Sequence, residues 1–360
     1  MESCRFLFPG GEKNRTTARI CSTIAGALLA FLPNGSGPAV AQASKPQATG
    51  SIGSRAALVD GPLRNLITDS PGALSWTATE EARTVGRLCE PGDDMRVALT
   101  VTKIDQQGKA VCKQAGRTVL FQKMIGSVVV VPVAQAGSAF NLTSGQLFSA
   151  LTAQTGNGQT QRPAKWSDID STLPDSAIRI LLPAVGSLED RVLVATALQH
   201  GCVAVQGQNL PMDSAASAQA CSALRSDAAV ARAAQGKAAS DWLKTAPPGA
   251  VAFVGYGQLM ADGELVGLMT IDGRLATSAT LVGSEYLAAM PIYVAATRPS
   301  GLSESRRQAA VALADALLSE SAIGPYGNVA RRGLAPLPAQ ERIAVRNAFG
   351  QFLTRTGVWE

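Results

Sequence analysis

The chain has 360 residues, of which 46% are hydrophobic and 16% are charged, as is typical of a well-packed globular protein and not of a disordered one. Its formal net charge of +5 falls to +3 without residues 1–43, which hold four basic and two acidic side chains. So small an excess, with no cluster of lysines and arginines, argues against a nucleic-acid-binding protein.

The first 43 residues have the features of a secretory signal peptide. Three basic residues precede an apolar run over residues 20–32, and small residues follow up to Ala43. The run is too short to span a bilayer, and no later segment is long and apolar enough to do so. We therefore predict cleavage after Ala43 and an exported mature chain that is not membrane-embedded. A buried N-terminal helix is the alternative.

The elements predicted in the first half of the mature chain begin with a segment rich in Pro, Gly, Ser and Gln at residues 44–54, which we expect to be mobile. A strand at 56–59, a helix at 79–89, a strand at 95–101 and a helix at 103–114 follow. Residues 119–133 contain two strand candidates. The valine-rich one, at 127–133, has no polar face, which is typical of a strand buried on both sides in a parallel sheet.

The second half continues with a helix that Thr143 caps and that ends near Thr152. A buried strand is predicted at 178–182, followed by a tight turn and a helix at 188–199. The remaining elements are strands at 250–256 and 290–295 and an amphipathic helix at 303–319. This alternation predicts an α/β class, with mostly parallel sheets flanked by helices.

Export into an oxidising compartment makes the remaining cysteines candidates for disulfides. Four lie beyond residue 43, at Cys89, Cys112, Cys202 and Cys221, and they allow three pairings. We favour the sequence-local pairs Cys89–Cys112 and Cys202–Cys221, which close loops of similar size. There is no Cys-x-x-Cys motif and only one histidine, His200, so no metal site is predicted.

The turn between the strand at 178–182 and its helix lies where α/β proteins commonly bind ligands, because unpaired amides of the helix N-terminus point there. Ser187 and Asp190 have the spacing of a capping box, and we favour capping over ligand binding for Ser187. Glu189 and Asp190 also suit the helix dipole without any ligand. Further along, Arg225 and Asp227 can be interpreted as a surface ion pair.

Several segments, in order, resemble the periplasmic phosphate-binding proteins of phosphate ABC transporters. Residues 165–175 contain Trp-Ser-Asp-Ile-Asp and then Leu-Pro-Asp, similar to the family's Trp-x-Asp-Ile-Asp-x-x-Leu-Pro-Asp segment. Residues 251–256 and 321–338 resemble two further family segments, and the second ends in Gly-Leu-Ala-Pro-Leu-Pro. The resemblance extends over residues 99–346, most of the mature chain.

This resemblance implies a type II periplasmic-binding-protein fold, with two α/β lobes joined by a two-strand hinge and a ligand held between them. Lobe I would comprise residues 55–125 and 285–360, and lobe II residues 126–284. The implied function is that of a monomeric periplasmic protein that binds phosphate or another small oxyanion and delivers it to an ABC transporter permease. The alternative is a non-transport interaction or sensory protein that kept the fold and lost phosphate binding.

The resemblance also implies candidate ligand-binding residues. The family's Thr-Ser-Gly-Thr-Arg-Asp turn falls on residues 186–191, where Ser187 is identical and Leu188, Glu189 and Asp190 replace the glycine, threonine and arginine. Its first ligand loop falls near Gly61, and a later motif falls on the segment that follows Cys221. The implied ligand residues are Gly61, Ser187, Leu188, Glu189, Arg225 and Asp227.

Catalytic motifs are missing from the sequence. It contains no Gly-x-Ser-x-Gly elbow, no P-loop and no complete dinucleotide fingerprint. A single histidine and no evident acid–base pair offer little for acid–base catalysis. We therefore predict neither an enzyme nor a bound cofactor, and a secreted hydrolase of the same fold is disfavoured.

Overall fold

The computed structural model describes residues 49–52, 75–78, 81–92, 95–117, 119–153, 162–207, 214–234, 239–262, 266–299, 301, 303–331 and 333–354. The predicted signal peptide, the predicted strand at 56–59 and Gly61 lie outside these residues. All described residues belong to one unit, Lys45–Glu360. Within them, no helix is long and apolar enough to cross a membrane.

The strands form one mixed sheet. They are β1 (Thr49–Ile52), β2 (Ser75–Ala78), β3 (Arg96–Thr100), β4 (Val119–Gln135), β5 (Ile180–Leu182), β6 (Val230–Arg232), β7 (Val251–Gly255), β8 (Val266–Leu268), β9 (Ala289–Arg298) and β10 (Ala335–Pro336). Their order is β2-β1-β3-β9-β4-β7-β5-β6, with β8 and β10 also paired to β4. We call β1, β2, β3 and β9 the first section of the sheet, and β5, β6, β7 and β8 the second section.

Helices flank this sheet, as predicted. They are α1 (Glu81–Leu88), α2 (Gln106–Gln114), α3 (Ser144–Leu151), α4 (Leu188–Leu193), α5 (Gln199–Gln206), α6 (Ser214–Ser222), α7 (Ala239–Thr245), α8 (Tyr256–Asp262), α9 (Ser278–Val282), α10 (Glu304–Leu318), α11 (Glu320–Ile323), α12 (Asn328–Arg331) and α13 (Ala339–Thr354). A π-helical segment, Val194–Leu198, joins α4 to α5, so this helix is longer than predicted. The predicted Thr143 cap begins α3, where a capping box with Gln146 is present.

β4 differs most from its prediction. It is one strand of 17 residues, where the sequence suggests two. From Val119 to Val129 it pairs with β9, and from Val130 to Ala134 it pairs with β7. We call this point, between Val129 and Val130, the crossover. The single strand therefore connects the first section of the sheet to the second.

The α/β class is confirmed, but the expectation of mostly parallel sheets is wrong. β1 pairs in parallel with β2 and β3, and β5 pairs in parallel with β6 and β7. All pairs of β4 and β9 are antiparallel. The buried valines of β4 do not distinguish parallel from antiparallel pairing. Their burial comes from α4, α7, α8 and α13, which pack against this strand whichever direction its neighbours run.

Five short strands were not predicted: β1, β2, β6, β8 and β10. Two of them, β1 and β6, show why. β1 lies within residues 44–54 and has the sequence Thr-Gly-Ser-Ile, whose single large apolar side chain gives no alternating pattern. β6 is only three residues long and lies within a segment rich in Ala and Ser. β1 and β6 are each held by parallel pairing to a strand that is distant in sequence, which local sequence does not reveal.

Both favoured disulfides are present. Cys89–Cys112 joins the end of α1 to α2, and Cys202–Cys221 joins α5 to α6. All four sulfur-bearing side chains are buried. The predicted sequence-local pairing is therefore confirmed, and each disulfide ties together two consecutive helices beside the sheet.

Candidate ligand site at the sheet crossover

Strand ends from both sections of the sheet converge on the crossover. In the first section, β3 ends at Thr100 opposite Tyr293 of β9, which in turn pairs with Met124 of β4. In the second section, β7 ends at Gly255 opposite Val130, and β5 runs parallel to β7. β3 runs along β4 towards the crossover and β7 runs against β4 towards it. Ligands of α/β proteins bind at the carboxyl ends of strands, so we take this region as the candidate site.

The turn after β5 forms one side of this site and is held by its own side chains. Ser187 Oγ accepts a hydrogen bond from Asp190 N at 3.2 Å, as the capping interpretation predicts. The Asp190 carboxylate accepts from Gly186 N at 3.0 Å. Gly186 has a φ of +73°, which favours glycine. Capping therefore accounts for the Ser187 oxygen as an acceptor, while its hydroxyl proton is still available to donate.

Arg232 is the cation beside this turn. Its guanidinium donates to the buried carboxylate of Asp190 and to Pro183 O, the latter at 3.2 Å. Arg232 belongs to β6, so the missed strand also concealed this contact. Because Asp190 already neutralises Arg232, the pair offers no uncompensated positive charge to an anion.

Glu189 lies over the end of β7. A Cβ built on Gly255 would be 2.6 Å from Glu189 Oε1, and one built on Gly333 would be 3.9 Å from the same atom. The carboxylate thus lies between two backbone segments that have no side chain at that point. Within the residues that the structure describes, no hydrogen bond or ion pair involves Glu189. Leu188, its neighbour, packs against the hydrophobic core.

The loop after β3 forms the other side of the site. Gln122 of β4 organises it by accepting from Ile104 N at 2.9 Å and donating to Thr102 O at 3.1 Å. Thr100 Oγ1 also donates to Thr102 O, at 2.8 Å. Lys103, on the same loop, is exposed. Sequence reasoning missed Gln122, although a glutamine within a largely apolar strand was a signal for such a role.

Aromatic and apolar side chains complete the described surroundings. Tyr256 begins α8 directly after Gly255, and burial, with a smaller effect of Tyr326, raises the pKa of its phenol. Tyr326 itself is 87% exposed. Met290 of β9 is buried and uncharged. No group of His, Cys, Asp and Glu side chains within the described ranges could hold a metal ion.

Arg225 and Asp227 lie at the opposite edge of the second section. They precede β6 whereas Ser187 follows β5, and these two strands are parallel. The Arg225 guanidinium donates to both Asp227 oxygens, at 2.9 and 2.7 Å, and to Ala150 O and Pro163 O at 3.3 and 2.9 Å. Hydrogen bonds from Arg225 lower the pKa of Asp227. The ion pair is present, but it is not a surface pair, because the Arg225 side chain is only 5% exposed. The pair is not brought together with Ser187, Leu188 and Glu189.

Trp166 closes the same edge. Its side chain is fully buried, its Nε1 donates to Gly249 O at 2.9 Å, and its ring meets that of Phe140 edge-on at 5.3 Å. Gly249 immediately precedes the segment that enters β7. We call this region, with Arg225 and Asp227, the amino edge. The side chains of this edge are packed together and serve a structural role.

Solved structures of phosphate-binding proteins share this fold. A possible phosphate binding protein from Planctomyces limnophilus matches with a TM-score of 0.58 and 15% sequence identity, over 86% of this chain and 99% of that one. PstS from Borrelia burgdorferi matches with a TM-score of 0.52 and 11% identity, over 81% and 99%. No protein-family model and no curated protein matches the sequence. In fold, and over most of its length, the chain is therefore similar to this possible phosphate binding protein and to PstS.

Proposed function

We propose that this protein is a solute-binding protein that holds a small oxyanion such as phosphate at the crossover and delivers it to a membrane permease. The observation that supports it is the fold similarity, over 86% of the chain, to a possible phosphate binding protein. The helices and strands would form two lobes. One lobe would comprise residues 55–125 with 285–360, and the other residues 126–284. The hinge would lie where β4 and β9 pass between the lobes. Closure of the lobes would then follow ligand binding.

Four described groups are available to an oxyanion: two amides, one hydroxyl and one lysine. The amides of Leu188 and Glu189 lie in the first turn of α4, where backbone N–H groups have no acceptor within the helix. The Ser187 hydroxyl can donate while its oxygen caps the helix. Lys103 would supply positive charge from the loop after β3 as the lobes close. In this proposal Gly61 contributes from lobe I, whereas Arg225 and Asp227 stabilise lobe II.

The proposed location is the periplasm, and the proposed partner is an ABC transporter permease that receives the ligand from a monomer. The predicted signal peptide at residues 1–43 supports export. Two disulfides between consecutive helices also suit an oxidising compartment. Binding, and not catalysis, is the proposed activity.

Calorimetry with phosphate tests the proposal directly. Titration of the purified protein should give saturable heat, with sulfate as the matched anion control. A ligand present at 100 times its Kd should raise the free energy of unfolding by about 2.7 kcal/mol, which a thermal shift detects. Absence of both heat and thermal shift at millimolar phosphate would rule out phosphate as the ligand.

A second candidate function is a non-transport interaction or sensory protein that has this fold without phosphate binding. The observation that favours it is the carboxylate of Glu189, which lies beside Gly255 at the crossover. Two like unit charges 4 Å apart repel by about 4 kcal/mol at an effective dielectric constant of 20. If the calorimetry is silent while the protein retains a specific protein partner in a pull-down, this second function is supported.

A further inference from the structure

The position of Glu189 is built into the backbone around it. Its Oε1, Cγ and Cδ would lie 2.6, 2.8 and 3.1 Å from a Cβ at Gly255, so any larger residue there would displace the side chain. Gly333, just before β10, leaves space on the other side of the same oxygen. β10 pairs with β4 at Gly126 and Ser127, close to the crossover. The carboxylate therefore lies where the end of β7 and the segment before β10 approach each other.

The charge of Glu189 is not balanced by its described neighbours. The cation of the adjacent turn, Arg232, already contacts Asp190 and Pro183 O. No residue in the part of the chain that the structure describes forms an ion pair or hydrogen bond with Glu189. The next side chain along β7 and α8, Tyr256, is an uncharged phenol. The Glu189 carboxylate is therefore a negative charge without a described partner, located at the crossover beside the end of β7.

We propose that Glu189 determines the charge specificity of the crossover site. Its carboxylate weakens the binding of oxyanions. It favours solutes that present a neutral or cationic hydrogen-bond donor to this side of the site. This inference rests on the proposed solute-binding function, because it assumes that the crossover binds a solute. It assigns that selectivity to one residue.

A purely structural role for Glu189 makes a different prediction. As the second residue of α4, its carboxylate also stabilises the helix dipole. If that were its whole contribution, Glu189→Gln would lower the melting temperature slightly and leave the affinity for any anion unchanged. Anion affinity, and not stability, is therefore the informative measurement.

The test compares the wild-type protein, Glu189→Gln and a matched control, Asp241→Asn, by calorimetry with inorganic phosphate. Asp241 is exposed on α7, which leads into the amino end of β7, and its carboxylate is paired with Lys244 at 2.9 Å. Both substitutions remove one carboxylate charge and change the shape little. Thermal unfolding of all three proteins verifies that they fold.

We expect Glu189→Gln to bind phosphate at least tenfold more tightly than wild type, equivalent to about 1.4 kcal/mol, and Asp241→Asn to match wild type. The gain should shrink as salt rises from about 0.05 M to about 0.5 M, because salt screens charge repulsion. A gain without detectable wild-type binding would support the inference and contradict the proposed oxyanion function. Equal affinities for wild type and Glu189→Gln, or no binding by either, would overturn the inference, and only the second of these results would also contradict oxyanion binding.

Discussion

The two edges of the second sheet section use their charged side chains in opposite ways. At the amino edge, the buried Arg225 satisfies Asp227 and two backbone carbonyls at once. At the carboxyl edge, by the crossover, Asp190 and Arg232 neutralise each other, while Glu189 has no hydrogen-bond or ion-pair partner within the described ranges. Strands β5 and β6 connect these edges over three residues each.

This contrast separates residues that hold the fold from residues that are free to select a ligand. A buried polar group without a partner costs about 1–3 kcal/mol, so the core of a stable protein contains few of them. A partly exposed group without a partner costs little and can interact with a solute. Substitutions at the amino edge should therefore cause large losses of stability and leave binding intact, whereas those at the carboxyl edge should change binding and cost little stability.

The largest expected effect is that of Trp166→Ala at the amino edge. Trp166 is fully buried and donates to Gly249 O. Its truncation creates a cavity and leaves that carbonyl without its donor, so the free energy of unfolding should fall by roughly 4 kcal/mol. Urea unfolding measures this loss, and Trp242→Ala on α7, where the ring is only half-buried, should cost less. Equal losses at the two positions would contradict the description of this edge as packed and structural.

Arg225→Met should have the next largest effect. The residue is 7% exposed, and its guanidinium makes hydrogen bonds to Asp227, Ala150 O and Pro163 O. Removal leaves these acceptors without their donor, and we expect a loss of roughly 3 kcal/mol in the free energy of unfolding. The exposed pair of Asp241 and Lys244 is a control, and Lys244→Met there should change stability by less than about 0.5 kcal/mol. If Arg225→Met instead kept its stability and lost ligand binding, Arg225 would belong to a ligand site.

Sequence reasoning predicted the elements whose signals are local. The Thr143 capping box, the two disulfides, the buried strand β7 and the family resemblance of residues 165–175 were all recognisable from neighbouring residues. It did not predict the direction of pairing around β4. Burial of both faces depends on covering helices, whereas antiparallel pairing with β7 and β9 depends on residues more than a hundred positions away.

The candidate site was predicted less completely than the fold. Ser187, Leu188 and Glu189 were placed at a strand–helix turn, and they lie at one. Arg225 and Asp227 were grouped with them because the family resemblance implied ligand residues in two separate motifs, yet parallel strands separate the two groups. Arg232 and Gln122 were missed, since their roles depend on the β6 pairing and on the return of the chain through β4. The order of motifs follows the order of the chain, but only the sheet topology shows at which end of a strand a motif lies.

A smaller effect is expected from Ser187→Ala at the carboxyl edge. Loss of the hydrogen bond from Asp190 N to Ser187 Oγ removes the N-cap of α4 and should cost about 1 kcal/mol of stability. Ser187→Asn keeps a good capping group and should lose much less in the same urea experiment. If the Ser187 hydroxyl also donates to a bound oxyanion, as proposed, Ser187→Ala should weaken phosphate binding as well. A stability loss in Ser187→Asn equal to that in Ser187→Ala would contradict the capping role.

The smallest expected effect is a dependence of stability on pH that comes from Asp227. Hydrogen bonds from Arg225 lower its pKa in the folded protein below the ordinary value of 3.8. A carboxyl with a depressed folded pKa contributes stability that is fully present above the unfolded pKa and is lost as pH falls through the folded pKa. Because the Asp227 side chain is 38% exposed, we expect the contribution to be below 1 kcal/mol.

This contribution can be isolated by comparing wild type with Asp227→Asn in urea between pH 6 and about pH 2.5. Other carboxyls with lowered pKa, such as Glu320 beside Arg342, titrate in both proteins and cancel in the difference. The stability difference should be largest near neutral pH and should shrink as the medium becomes more acidic than pH 3.8, the ordinary value. A difference that stays constant across this range would mean that Arg225 holds Asp227 by geometry alone, and the charge contrast between the two edges would then lose its electrostatic basis.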